Sequence, residues 1–325
     1  MKKIWSLLLL FFFIRSVGAQ NLSGLTGKPD TSFTIASEYR KLIKNYPFIE
    51  IVKQKNTDSV RVEKGLVYGK AGQRKLRLDI FRPAFDTDNK KPALVFLHGG
   101  GWRSGDPTLH YALAERMATM GYVCITPEYR LSTEALFPAA VEDICQAIRW
   151  VRKNASRYGI DPERISIGGH SAGGELAALI GSDPENPIFK NGSGKKKISV
   201  KVNAVIDIDG ILAFIHPESG EGDDSKKISA ATYWFGYSKT EAPSLWEQAS
   251  ALSHAGERSA PILFLNSSIE RMHAGRDDYR KILDRYGIYS EQITYENSPH
   301  SFCFFEPWFG RMVMDMDRFL RKTGR

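Results

Sequence analysis

The chain has 325 residues, of which 42% are hydrophobic, and this is enough for one large domain with a single core. Its 45 lysines and arginines against 37 aspartates and glutamates give a formal net charge of +8, but the bases are scattered and no nucleic-acid-binding motif is present, so we expect no nucleic-acid partner. Three cysteines are too few for a disulfide framework.

The N-terminus has the pattern of a secretory signal peptide. Two lysines precede an apolar run from Ile4 to Ile14, and small residues follow up to Ala19. The run is shorter than the roughly 20 residues that a membrane-spanning helix needs, so we expect no stable membrane insertion. We predict a signal peptide at 1–19 and a secreted or periplasmic mature protein. Residues 20–64 are an N-terminal extension with no recognisable chemistry.

From Gly65 onward, apolar runs of strand length alternate with segments of helical spacing. Strands are predicted at "LRLDIFRP", "PALVFLHGG", "YVCITPEYR", "RISIGG", "VNAVIDIDG", "PILFLNSS" and "SEQITYE". Helices are predicted between them and at the C-terminus, in "RMVMDMDRFLRK". This alternation predicts an α/β domain over 65–325, with a doubly wound, mostly parallel sheet. A short insertion at about 211–257 is expected near the active site.

The strongest motif is the G-x-S-x-G sequence "GHSAG", which spans 169–173 between a predicted strand and a predicted helix. A sharp strand-to-helix turn exposes the central hydroxyl and tolerates only small residues two positions to either side. The N-terminus of the following helix also stabilises negative charge. We predict that Ser171 is a nucleophile.

A second motif, "HGGGW", follows another predicted strand. Glycines allow backbone N–H groups to approach a reacting carbonyl closely, and a tetrahedral intermediate needs such donors for its oxyanion. We predict that Gly100, Gly101 and Ala172 form an oxyanion hole. Trp102 is expected to line the cleft.

The general base is predicted at His300. It follows the last predicted strand, in "TYENSPHSFCFFEPW", which is the position that the chain order serine, acid, histidine gives to the base of an α/β-hydrolase. His98 and His170 belong to the two glycine motifs and are expected to be packing or hydrogen-bonding residues. No motif for a metal ion is present, and no cofactor is expected.

The triad acid is expected after the strand "PILFLNSS". Glu270 lies on that loop, and we favour it, whereas Asp277 stands where a helix begins and has a ready role as a helix cap. Asp207 and Asp209, at the end of the earlier strand "AVIDIDG", remain alternatives because some hydrolases take their acid there.

Together, "HGGGW", "GHSAGG", "PEYRLSTEALFPAAVEDICQAIRWV" and "SPHSFCFFEPW" resemble secreted bacterial α/β-hydrolase carbohydrate esterases over about 65–320. The segments "NSSIERMHAGRDD" and "PHSFCFFEPWF" resemble pectin methyl- and acetylesterases more narrowly, and the other segments also resemble acetylxylan- and feruloyl-esterase-like serine hydrolases. The resemblance implies a Ser-His-acid mechanism and a polysaccharide or oligosaccharide ester substrate.

Three functions compete at this stage. The first is hydrolysis of methyl or acetyl esters on pectin-type polysaccharides, the second is a broad-specificity small-acyl carboxylesterase or acetylxylan esterase, and the third is a non-catalytic glycan-binding protein. A sugar ester would need stacking faces, and an acidic sugar would suit the guanidinium groups of Arg271 and Arg276. The candidate stacking residues are Trp102, Tyr129, Trp234, Phe235 and Trp308.

Overall fold

A computed structural model describes residues 19–85, 89–190 and 198–324. The predicted signal peptide therefore lies, apart from its last residue, outside the described residues. The strands are β1 (Glu50–Ile51), β2 (Val60–Ala71), β3 (Arg74–Pro83), β4 (Lys91–Leu97), β5 (Val123–Pro127), β6 (Ile160–His170), β7 (Val205–Ile208), β8 (Ile262–Asn266), β9 (Ser290–Thr294) and β10 (Phe305–Glu306). The α-helices are α1 (Ile35–Leu42), α2 (Tyr111–Thr119), α3 (Ala139–Lys153), α4 (Ala172–Ser182), α5 (Ala230–Phe235), α6 (Pro243–Ala249), α7 (Arg276–Arg285) and α8 (Trp308–Thr323).

Eight strands form the central sheet, in the order β2-β3-β5-β4-β6-β7-β8-β9. The pairs β2–β3 and β3–β5 are antiparallel, and every pair from β5 to β9 is parallel. The parallel strands β4, β5, β7 and β8 have nearly continuous buried positions, as expected for strands covered on both faces. The predicted mostly parallel sheet is confirmed.

Two hydrophobic clusters cover the two faces of this sheet. One contains the buried sides of α3, α4 and α7. The other contains those of α2 and α8. Because the carboxyl ends of parallel strands share one edge of a sheet, the loops after β4, β6 and β7 meet there, and ligands bind at this edge in open α/β sheets.

The predicted insertion holds α5 and α6 between β7 and β8. The N-terminal extension also has regular structure. Helix α1 begins with a capping box at Thr34, and β1 pairs with β10. Among the described residues, no helix has the length and apolar character needed to cross a bilayer.

Candidate active site

Ser171 occupies a strained turn between β6 and α4. Its φ of 57° lies in the left-handed region, which side-chain-bearing residues rarely adopt. A Cβ on Gly169 would lie 2.2 Å from the carbonyl oxygen of Gly173, and a Cβ on Gly173 would lie 2.3 Å from that of Leu97. Glycine is therefore required on both sides of the serine. The turn holds the Ser171 hydroxyl at the N-terminus of α4, as the motif predicts.

The predicted oxyanion glycines lie in the same cleft as Ser171. Gly100 has a φ of 121° and Gly101 a φ of 61°. A Cβ on Gly100 would lie 1.9 Å from the carbonyl oxygen of Ser104, so no other residue fits this turn. Within the described part of the chain, the N–H groups of Gly100, Gly101 and Ala172 have no protein acceptor. These three donors remain available to an oxyanion.

His300 links the nucleophile to a carboxylate. Its Nε2 lies 2.8 Å from Ser171 Oγ, and its Nδ1 lies 3.0 Å from Asp209 Oδ2. Both distances are within hydrogen-bond range. With Asp209 accepting from Nδ1–H, the imidazole presents an unprotonated Nε2 to the serine hydroxyl, which is the tautomer that a general base requires.

Asp209 is fully buried directly after β7 and has a φ of 51°. Its Oδ1 accepts a 2.7 Å hydrogen bond from the Ser267 N–H and lies 3.6 Å from His273 Nε2. Burial alone would raise the pKa of this carboxyl, but the contacts with His273, His300 and Ser267 outweigh it and hold the pKa below its usual range. The carboxylate therefore stays ionised at neutral pH. Sequence reasoning gave His273 no part in orienting the acid.

The preference for Glu270 as the triad acid is corrected by this geometry. Glu270 is exposed at the start of a 3₁₀ turn, Glu270–His273, and no hydrogen bond among the described residues joins it to His300. The acid comes from the loop after β7, which pairs directly with β6, whereas the loop after β8 is one strand further from the serine. Asp209, kept as an alternative, occupies the position.

The other candidate acids have different contacts. Asp207 is fully buried in β7, and its Oδ1 accepts from the Gly210 N–H at 2.7 Å. Burial raises the pKa of its carboxyl well above the usual range, which favours the protonated form over the ionised form that a triad acid needs. Asp277 lies in the first turn of α7, as predicted for a helix start, and its carboxylate accepts from Arg276 at 2.8 Å. The predicted capping role is wrong, because Gly275 is the N-cap residue and no side chain caps this helix.

Trp102 is a core residue and does not contact the cleft, contrary to its predicted role. It is 4% exposed, its ring stacks on Trp234 at 4.8 Å, and its Nε1 donates to Glu175 Oε2 at 2.9 Å. The other aromatic residues considered for sugar stacking are also buried, at 9% exposure or less: Tyr129, Trp234, Phe235 and Trp308.

The two motif histidines are buried hydrogen-bonding residues, as expected. His170 Nε2 lies 3.0 Å from the carbonyl oxygen of His300, and His98 Nδ1 lies 2.9 Å from that of Gly99. Burial lowers the pKa of His170 to about 3 and that of His98 to about 4, so both rings are neutral beside the triad.

Two cavities lie at this end of the sheet. The cleft that contains Ser171 has a volume of about 420 Å³. A polar pocket of about 680 Å³ adjoins the acid, because its lining includes Ser267 and His273, which contact Asp209. Its charged lining residues are Arg271, Arg276, Glu218, Glu270, Asp277 and Glu296. The two predicted arginine contacts thus lie outside the serine cleft, and Arg276 is held by Asn266 Oδ1 at 2.9 Å.

The serine cleft also contains residues that sequence reasoning missed. The N-terminal extension contributes Ser32, Phe33, Ser37 and Lys41 to its lining. The segment has no chemical motif, and only its tertiary position reveals a role. Over the described ranges, no group of three or more metal-binding side chains is placed to hold an ion.

The sheet order, the strained serine turn and the Ser171–His300–Asp209 chain define an α/β-hydrolase fold with a Ser-His-Asp arrangement. The sequence matches the BD-FAE family over residues 78–272, which is more than half of the chain. The chain belongs to the BD-FAE family. The matched range includes the oxyanion glycines, Ser171 and Asp209.

Curated relatives carry esterase names. Esterase LipQ of Mycobacterium tuberculosis is 30% identical over 207 residues, which cover 63% of this chain and 48% of LipQ. Carboxylesterase NlhH of the same species is 35% identical over 122 residues, covering 37% of this chain and 38% of NlhH. The chain spans about half the length, or less, of the curated relatives that it matches.

Solved structures share the fold. Esterase 2 of Thermogutta terrifontis superposes with a TM-score of 0.67 at 24% identity, covering 82% of this chain and 96% of that chain. A truncated carbohydrate esterase from gut microbiota gives a TM-score of 0.64 at 21% identity, covering 84% of this chain and all of that chain.

Proposed function

We propose that this protein is a serine-dependent carboxylic ester hydrolase that works through an acyl-enzyme. The hydrogen-bonded chain from Ser171 Oγ through His300 to the buried, ionised Asp209 carries the proposal. The esterase names of the relatives support it. A binding protein has no need for a strained serine that faces a base and unpaired amides.

In the first half-reaction, His300 Nε2 takes the proton of Ser171 as the serine oxygen bonds to the ester carbonyl carbon. The negative charge moves to the carbonyl oxygen, where the amides of Gly100, Gly101 and Ala172 donate to it. Asp209 stabilises the imidazolium. When the carbon–oxygen bond of the leaving group breaks, His300 returns the proton to that oxygen, and the alcohol departs from an acyl-serine.

Water completes the cycle. His300 takes one proton from the water molecule while the water oxygen bonds to the acyl carbon. When the acyl-serine bond breaks, His300 returns this proton to Ser171 Oγ. The products are one alcohol and one carboxylic acid. No cofactor takes part in this scheme.

A fluorophosphonate probe tests the proposal, because it phosphonylates only an activated serine. We expect one adduct per chain by intact mass, located on Ser171 by peptide mapping, and none in Ser171→Ala. The matched control is Ser268→Ala, at an exposed serine of the polar pocket. If the wild-type chain stays unlabelled and hydrolyses no ester, the enzyme proposal is wrong.

We propose further that the substrate is a carbohydrate ester, with methyl or acetyl esters of pectin-type polysaccharides as the leading candidates. The polar pocket next to Asp209 supports this, because it contains the guanidinium groups of Arg271 and Arg276, which suit the carboxylates of an acidic sugar. Such a sugar would share these groups with their protein partners, Glu221 for Arg271 and Asp277 for Arg276. The gut-microbiota carbohydrate esterase that shares the fold also supports it. A broad small-acyl carboxylesterase is the second candidate, and the names of the curated relatives favour it.

Product analysis separates these substrates. Methanol and acetate are measured separately from methylated and acetylated pectins, and p-nitrophenyl esters serve as the general substrate. Release of methanol or acetate from the polymer supports the carbohydrate esterase, and the identity of the product gives the ester. Hydrolysis of p-nitrophenyl esters alone supports the broad carboxylesterase.

We propose that the protein is exported, with cleavage after Ala19. N-terminal sequencing of the mature protein from periplasmic and external fractions tests this. A first residue of Gln20 supports the proposal, and retention of Met1 in the cytoplasm contradicts it.

A further inference from the structure

The N-terminal segment 30–41, which we term the strap, is joined to the oxyanion loop. The Gly105 N–H donates to the Asp30 carbonyl oxygen at 2.9 Å, and the Ser104 hydroxyl donates to the Asp30 carboxylate at 3.2 Å. The Phe33 N–H donates to Ser104 Oγ at 2.9 Å. These bonds attach the strap to the oxyanion loop at Ser104 and Gly105, just after Gly101.

The same strap is joined to the loop that carries the base. Ser301, the residue after His300, donates from its hydroxyl to Glu38 Oε2 at 3.2 Å. The other carboxylate oxygen of Glu38 accepts from Lys41 at 2.5 Å. The Phe33 ring lies 6.4 Å from that of Phe304, at an angle of 56°. The strap thus bridges the two loops that supply the oxyanion donors and the base.

Between these attachments, the strap lines the cleft that contains Ser171 and His300. This cleft has a volume of about 420 Å³, and both strap residues and catalytic residues contribute to its wall. Phe33 is half-buried and is the one large apolar side chain that the strap brings to this cleft, whereas the side chain of Lys41 is 67% exposed.

We infer that the strap is the specificity element of this active site, and that Phe33 limits the size of the ester group that lies beside Ser171. The inference rests on the proposed esterase function and names the substrate class for it. The phenyl ring is part of the wall of the cleft that contains Ser171, so it occupies room that a longer ester group would need. Ser32, Ser37 and Lys41 add polar groups to the same lining. Such a cleft suits an ester with a short group, such as acetyl or methoxy, on a polar remainder.

The test compares kcat/KM for p-nitrophenyl acetate and p-nitrophenyl octanoate in wild type, Phe33→Ala and Phe33→Trp. We expect the octanoate-to-acetate ratio to rise about tenfold or more in Phe33→Ala, since methylene-sized differences in an apolar pocket change kcat/KM by about 10- to 200-fold. In Phe33→Trp the ratio should fall. The two variants carry opposite predictions, so a variant that fails to fold still leaves the other to decide.

Phe48→Ala is the matched control. Phe48 belongs to the same extension, is 57% exposed and contacts Tyr46 and Trp308, away from the cleft. Its ratio should equal that of wild type. A ratio within twofold of wild type in both Phe33 variants, with Ser171 still labelled by fluorophosphonate, overturns the strap inference alone. A wild-type chain that neither takes the label nor hydrolyses acetate overturns the esterase proposal and the inference with it.

Discussion

Trp102 donates its indole N–H to Glu175 at 2.9 Å, and this contact joins the oxyanion loop to the helix that follows the nucleophile. Glu175 is one turn beyond Ser171, and Trp102 directly follows Gly101. The oxyanion loop and α4 supply the oxyanion donors, and this buried contact fixes their relative position. Burial raises the pKa of Glu175 well above its usual range, although the indole donor opposes the effect.

The raised pKa of Glu175 predicts a pH-dependent loss of stability. A carboxyl whose pKa is higher in the folded state stabilises the fold fully below its unfolded pKa of about 4.3, and this stabilisation is lost as the pH rises through the folded value. Glu175→Gln keeps an acceptor for Trp102 without this titration. We expect the variant to lose less thermal stability than wild type between about pH 5 and pH 8.

Differential scanning fluorimetry across this pH range checks the prediction, with Glu247→Gln, at an exposed position of α6, as the control. Parallel pH profiles of the melting temperature in wild type and Glu175→Gln would show that Glu175 does not titrate in this way.

Trp102→Phe should affect stability rather than substrate binding. The change removes the indole donor and leaves the buried Glu175 carboxyl without a partner, at a cost of about 1–3 kcal/mol. We expect a lower melting temperature and a KM for p-nitrophenyl acetate within about twofold of wild type, because Trp102 is in the core.

Trp150→Phe, at a partly buried tryptophan of α3 that contacts Tyr158, is the control for the melting temperature. If Trp102→Phe raised KM strongly and left the melting temperature unchanged, Trp102 would be a cleft residue that contacts the substrate.

Gly173→Ala should distort the serine turn. The added Cβ would lie 2.3 Å from the carbonyl oxygen of Leu97, within the backbone of β4. Overpacking of this kind costs about 1–3 kcal/mol, and the shift should also displace Ser171 from His300. We expect lower stability by urea denaturation together with a lower kcat.

Gly256→Ala is the matched control, because a Cβ there would have no neighbour within 4 Å and the backbone is not left-handed. Wild-type stability and kcat in Gly173→Ala would contradict the requirement for glycine at this position.

The sequence predicted the sheet, Ser171 and His300 because each depends on a local pattern and on chain order. The serine needs glycines at fixed spacing, and the base follows β9, the last strand of the central sheet. The position of the acid depends on which loop the fold brings beside His300, and no local pattern in the sequence shows this. Asp209 has a left-handed backbone conformation that directs its carboxylate toward His300. Because the residue is not a glycine, the sequence gives no sign of this conformation.

The roles of Trp102 and of the strap could not be predicted for the same reason. A tryptophan after a glycine loop can face a cleft or the core, and the partner that decides this, Glu175, is 73 residues away. The strap is a polar segment whose contacts with Ser104 and Ser301 join parts of the chain that are distant in sequence.

The triad acid is identified by kcat/KM of Asp209→Asn and Glu270→Gln on p-nitrophenyl acetate. Asparagine keeps the shape of the side chain but loses the charge and the control of the His300 tautomer, so we expect a loss of about 10³- to 10⁴-fold. Glu270→Gln, at an exposed position, should stay within about twofold of wild type. A kcat/KM near wild type in Asp209→Asn together with a large loss in Glu270→Gln would show that Glu270, and not Asp209, is the triad acid.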